Sequence, residues 1–110
     1  MTPELQVVFR DSEPSPYVEE RAREKLDALA KHYPRIQSCR VVVEAPETKH
    51  HRKGHLFHVR VELKIPGHLI TASRENGHDK SHEDIYVALR DSFDAAKRQL
   101  EDYARKHREV

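Results

Sequence analysis

Nine histidines stand out among the side chains that could do chemistry in these 110 residues. His50, His51, His55 and His58 lie close together in the chain, and His78 and His82 are four apart. A metal site needs convergent neutral imidazoles, usually three or more with a carboxylate or thiolate. The adjacent His50 and His51 diverge in an extended loop, and His78 and His82 straddle a loop-to-helix junction, so no metal is expected. The single cysteine, Cys39, makes no internal disulfide and no cysteine cluster, which excludes zinc-finger and iron–sulfur chemistry and fits a reducing cytosol. Acid–base pairs can be drawn, Glu62 with His58 or Asp84 with His82, but no Ser or Cys stands on a nucleophile elbow. Gly54, Gly67 and Gly77 are the only glycines, and all fall in turns, so no phosphate-cradling loop exists. A chain this small also leaves little room for an enclosed pocket. No enzymatic activity, cofactor or small-molecule substrate is expected.

The basic residues carry more. Lys49, Arg52 and Lys53 interleave with His50, His51 and His55 into one cationic run. Arg90, Lys97, Arg98, Arg105 and Lys106 populate the polar side of the last helical stretch, with Arg74 and Lys80 leading into it. The net charge of +1 conceals an uneven distribution: residues 35–74 hold eight basic and three acidic side chains, while residues 75–96 hold two and six. Long basic side chains along one face contact phosphates and supply most nucleic-acid affinity without reading sequence. The bland alternative is a solvated helix held by i,i+4 ion pairs, which Asp94–Arg98, Glu101–Arg105 and Asp102–Lys106 fit. His50, His51 and His55 are expected to be pH-dependent RNA contacts. A phosphate placed against them favours the imidazolium, so binding should tighten as pH falls towards the free histidine value of about 6.5.

Those side chains must be positioned by elements that the hydrophobic pattern defines. Leu5, Val7 and Phe9 alternate as a half-buried strand. Ser15 is a good N-cap and Pro16 a good first helical residue. Val18, Ala22, Leu26, Leu29 and Tyr33 then make one helical stripe, which Pro34 ends. Cys39, Val41, Val43 and Ala45 face one way from a second strand, and residues 46–54 form a polar loop. Phe57, Val59, Val61, Leu63 and Ile65 alternate with His58, Arg60, Glu62 and Lys64, which predicts a strand with one buried and one wet face. Pro66-Gly67 marks a tight turn into a fourth strand, His68 to Arg74, followed by a polar loop over 75–81. Ser81 opens a last helix whose apolar positions run from Ile85 through Leu89, Phe93, Ala96 and Leu100 to Tyr103. The order β-α-β-β-β-α predicts a two-layer α+β sandwich: a four-stranded sheet with both helices on one face and the other face open to water. The open face, with Arg40, Val42, His58, Arg60 and Glu62, lacks exposed aromatic rings for stacking bases, so backbone and shape recognition are favoured there.

One domain spans 1–110, with a core over about 4–106. Charged residues at 35%, a mean hydropathy of −0.89 and the absence of an apolar run approaching ~18 residues argue against a membrane span. No secretory signal is expected at Met1 to Leu5.

Three segments carry a family resemblance: Ile70-Thr71-Ala72-Ser73, then His82-Glu83-Asp84-Ile85-Tyr86-Val87-Ala88-Leu89, then Lys97-Arg98-Gln99-Leu100. Together they resemble the second half of the ribosome hibernation-promoting factors, also called ribosome-associated inhibitors or sigma-54 modulation proteins. Ser15-Pro16, Lys25 to Leu29 and Tyr33 are similar to the family's first helix, and the likeness covers roughly residues 4–106. It implies the same sandwich, similar to a double-stranded-RNA-binding domain. It implies a cytoplasmic, stationary-phase stress factor that binds the small ribosomal subunit and its 16S-type rRNA in the mRNA and tRNA channel and inhibits translation, with no cofactor. The competing expectations are a free-standing binder of structured or double-stranded RNA without ribosomal preference, and a metal-responsive protein that uses the histidines. The chain departs from the family in three ways. Its loop from Arg74 to Ser81 is longer, Ala95 stands where many members have Lys, and residues for a C-terminal dimerisation domain are not expected. Nothing in the chain supports a promoter- or polymerase-binding role.

Overall fold

The computed structural model describes residues 3–44, 57–76 and 81–107. Six elements follow one another: β1 (Glu4–Arg10), α1 (Pro16–His32), β2 (Ser38–Glu44), β3 (Phe57–Ile65), β4 (His68–Asn76) and α2 (Ser81–His107). The strands form one sheet in the order β1-β2-β3-β4. β1 and β2 run parallel, Val7 opposite Val41, as the intervening helix requires. The β2–β3 and β3–β4 pairs are antiparallel, with Val41 opposite Val61 and Val61 opposite Ala72. Gly67, at φ +75°, makes the tight turn between β3 and β4, where an L side chain is strained. β4 runs two residues past the expected Arg74, because its pairing with β3 continues to Phe57–Asn76.

Each helix owes its start or its face to a local cause. Ser15 caps α1: its Oγ accepts from the Val18 backbone N–H at 3.3 Å, and Pro16 occupies the first turn. Arg23 donates to the Pro3 carbonyl at 3.0 Å and lies 3.4 Å from Asp27, which fastens α1 to the start of β1. Val18, Ala22, Leu26 and Leu29 of α1 join Leu89, Phe93, Ala96 and Leu100 of α2 over the alternate residues Val41, Val43, Val59, Val61, Leu63 and Ile70 of the sheet. Both helices therefore cover the same face, and the two-layer α+β sandwich is as the alternation predicts. Ser92 is the one fully buried polar side chain among the described residues, and its hydroxyl donates to the Val59 carbonyl at 2.9 Å. That bond joins α2 to the centre of the sheet and satisfies the group. Among the described residues, no helix is long and apolar enough to cross a membrane.

Two residues depart from simple alternation. Val42 points to the open face yet is 2% exposed, in a cross-strand row between Val8 and Arg60. The aliphatic stem of a half-buried arginine and a neighbouring valine suffice to cover it. Ala95, where the family resemblance leads one to expect Lys, packs into the core at 6% exposure. Here it is a helix-packing position and not a gap in a basic surface.

Candidate nucleic-acid interface

The two faces of the sandwich handle charge differently. At the middle of the open sheet face, three basic side chains sit against carboxylates one strand away or two residues along, while Arg10 and Lys64 at its margins have no ion pair among the described residues. Arg40 lies 3.8 Å from Glu62, Arg60 lies 3.2 Å from the other Glu62 oxygen, and His58 Nδ1 lies 3.2 Å from Glu44 across the β2–β3 pair. The Arg60 Nε is buried at an ion-pair distance from Glu62 without the alignment of a hydrogen bond. An incoming phosphate there would have to displace these carboxylates.

The helix side is different. A groove of about 210 Å³ runs between the last turns of α1 and the middle of α2, lined by Lys25, His32, Asp94 and Lys97 over a floor of Leu29 and Phe93. Lys25, Ala28, Leu29 and His32 stand at i, i+3, i+4 and i+7, so α1 presents them as one stripe. Lys97 extends from the facing side of α2. Three cationic or protonatable groups thus meet one carboxylate in an open cleft. The α1 C-terminus, with Lys31 and His32 in its last turn, adds its partial negative charge and so favours the basic groups there.

Of the residues expected to contact RNA, Lys97, Arg98, Arg105 and Lys106 all lie exposed on α2, but not on one face. Successive helix residues are about 100° apart. Lys97 lines the groove with α1, whereas Lys106 lines a separate depression against β4. Arg90 is exposed and pinned to Asp91 at 3.1 Å. Arg74 is exposed on β4 and donates to the adjacent Ser73 carbonyl at 2.6 Å. The i,i+4 ion pairs expected along α2 do not form among the described residues: Asp102 pairs with Arg105 instead, three residues on. Lys97, Arg98 and Lys106 consequently have no ion pair among the described residues, which leaves them for a partner. Lys49, His50, His51, Arg52, Lys53, His55 and Lys80 lie outside the described residues.

Lys25 and His32 line the groove but are not among the contacts expected from the sequence. The signal was present, since their seven-residue spacing around Ala28 and Leu29 puts them on one stripe beside the apolar one. It was hidden by the net acidic count of the first helical region. Tyr86, in the sequence run that carries the resemblance, has its ring under the Arg21 guanidinium at 5.4 Å, so it joins the start of α2 to α1.

Cys39 is fully buried, and burial pushes its thiol up to about 12, with Arg23 opposing and Glu62 adding to the shift. It packs as a small apolar side chain, as its place at the start of a core face predicts. Among the described residues, no three His, Cys, Asp or Glu side chains converge to hold a metal ion.

Helices on one face of a four-stranded β-α-β-β-β-α sheet define the class of two-layer α+β sandwiches. A ribosomal subunit interface protein from Coxiella burnetii superposes with a TM-score of 0.64 at 17% identity, over 91% of this chain and 96% of that one. The protein Y N-terminal domain of Thermus thermophilus superposes with a TM-score of 0.65 at 16% identity, over 94% and 99%. No curated protein matches the sequence. Residues 5–108 match the family described as sigma 54 modulation protein / S30EA ribosomal protein, and the chain belongs to that family. This is the family that the sequence segments resemble.

Proposed function

We propose that this protein is a cytoplasmic ribosome-associated hibernation factor. It binds the small ribosomal subunit in the channel that mRNA and tRNA occupy and so inhibits translation, in stationary phase or stress. Membership of the S30EA family over residues 5–108 carries the reading. The unpaired cations of the helix side support it, because rRNA backbone is the polyanion such a surface fits. In this reading Lys97, Arg98, Arg105 and Lys106 contact rRNA phosphates, joined by Lys25 and His32. Arg74, Arg90, Lys80 and the run Lys49, Arg52 and Lys53 widen the footprint. His50, His51 and His55 add contacts that strengthen on protonation. No catalytic step is assigned to any residue, and the whole of 1–110 acts as one ribosome-binding domain.

The test is sedimentation of the purified protein with small subunits, alongside translation of a reporter mRNA in an extract. Co-migration with small subunits and dose-dependent inhibition are expected. Equal affinity for naked duplex RNA and for subunits would replace this reading with a general structured-RNA binder. Binding to neither would remove it.

A further inference from the structure

The helix side of the sheet ends, at its β4 edge, in aromatic rings. His68 opens β4 opposite Ile65 and shares the helix side with Ile70 and Ala72. Its ring stacks on Tyr103 of α2, with centroids 4.5 Å apart and planes 9° from parallel. One turn further along α2, His107 stacks on the same tyrosine at 3.9 Å and 17°. The His107 Nδ1 lies 2.9 Å from the Tyr103 carbonyl oxygen; a carbonyl only accepts, so that nitrogen carries the proton and the ring is held in place. The three near-parallel rings line an open depression of about 500 Å³ together with Gln99, Asp102 and Lys106.

Two features separate this stack from ordinary core packing. Both imidazoles are exposed and the phenol only half-buried, although rings that merely closed the core would be covered. The polar groups around the stack are also already sorted. Asp102 is taken by Arg105, and Gln99 donates to the Thr71 carbonyl at 2.9 Å on the edge strand. Lys106 is left as a cation beside the rings with no ion pair among the described residues. Flat π-faces next to one free ammonium match a nucleotide with an unpaired base: the base adds to the stack and its phosphate meets the lysine. On the α1 flank, by contrast, the groove sets charge over Leu29 and a buried Phe93, with no exposed ring stack among its described residues.

We propose that His68, Tyr103 and His107 form a base-stacking site for an unpaired nucleotide of ribosomal RNA, with Lys106 holding its phosphate. This rests on the ribosome-binding reading above and adds to it a second contact of different chemistry on the opposite flank of α2.

The test uses the whole chain with two probes, a ten-nucleotide oligoadenylate and purified small subunits. With four tyrosines and no tryptophan in the chain, stacking is read as tyrosine fluorescence quenching. The double variant His68→Ala/His107→Ala should bind both probes roughly 5- to 150-fold more weakly. Its thermal midpoint should stay close to wild type, since both side chains are exposed. The His68→Phe/His107→Phe variant should restore binding, and the Gln/Gln variant should not. Wild-type affinity of the Ala variant for both probes would overturn the stacking site. So would rescue by Gln as complete as by Phe, which would make the contact one of hydrogen bonding. If wild type binds oligoadenylate through the rings but not small subunits, the ribosome reading fails and the stacking chemistry stands. If it binds subunits and the ring variants are indistinguishable, the stacking site fails alone.

Discussion

At the scale of single residues, burial decides chemistry. Cys39 is the one thiol in the chain and is 2% exposed, so it has neither access nor a thiolate. Its folded-state proton is held up to about 12, while an ordinary thiol loses its proton near 9.0. Between those values the unfolded chain binds fewer protons than the folded one, so stability contributed here is complete below about pH 9 and declines as pH rises towards 12. Native protein at pH 8 should therefore leave Cys39 unlabelled by a thiol reagent and label fully in denaturant. Cys39→Val should show a shallower loss of stability between pH 9 and 11 than wild type, read by urea unfolding across that range. Rapid labelling of folded protein would show that the strand opens. The ion pairs on the sheet face are a different case. Glu62 serves both Arg40 and Arg60 and is largely buried, so Glu62→Gln should cost about 1–3 kcal/mol in urea unfolding, because it leaves the buried Arg60 Nε without its carboxylate. It should also free Arg40 and Arg60 from their shared carboxylate, which raises non-specific RNA binding at low salt.

At the scale of elements, packing rather than charge holds the fold. Leu26, Leu63 and Leu100 are each fully buried, on α1, β3 and α2, and meet in one core. Leu100→Ala or Leu63→Ala should each cost about 2–5 kcal/mol, measured by denaturant unfolding. Ser92→Ala should cost about 0.5–1.5 kcal/mol, because it removes the hydrogen bond that joins α2 to the Val59 carbonyl at the centre of the sheet. The elements themselves were legible in the sequence for a physical reason. Strict alternation in β3 and the three- and four-residue spacing in α1 and α2 are the direct imprint of one buried face, and Ser15-Pro16 and Pro66-Gly67 are local chemistry that needs no tertiary context. The site was only half legible. Which residues are basic can be read from a sequence, but which of them remain unpaired depends on neighbours brought together by the fold. Arg40 from the next strand and Arg60 from the same strand share the one carboxylate of Glu62, and Asp102 turns to Arg105 rather than Lys106. The stack of His68 with Tyr103 joins residues far apart in the chain, and periodicity marks Tyr103 only as the end of an apolar stripe.

At the scale of the whole molecule, shape and charge together set which side meets a polyanion. The fold measures 48 × 24 × 19 Å, and its length matches α2, whose 27 residues span about 40 Å. A helix that long carries its cations past the edge of the sheet on two flanks, Lys97 towards α1 and Lys106 towards β4. Glu44 and Glu62 offset His58, Arg40 and Arg60 at the middle of the sheet face, whereas Lys25 and Lys97 share one groove without an ion pair among the described residues, so the helix side should supply most of the electrostatic free energy of binding. The comparison is a pair of variants with equal change in net charge. Lys25→Glu/Lys97→Glu alters the groove between the helices, and Arg10→Glu/Lys64→Glu alters exposed positions on the open side of β1 and β3. Both should fold with wild-type thermal midpoints. The groove variant should bind small subunits weakly, with the slope of log affinity against log salt reduced by about 0.7–0.9 for each lost phosphate contact. The sheet variant should keep nearly the wild-type slope, since long-range repulsion alone is screened beyond about 8–10 Å at physiological salt. Equal losses in the two variants would mean that net charge alone governs binding. A larger loss in the sheet variant would mean that the ion-paired face, not the helices, lies against the RNA.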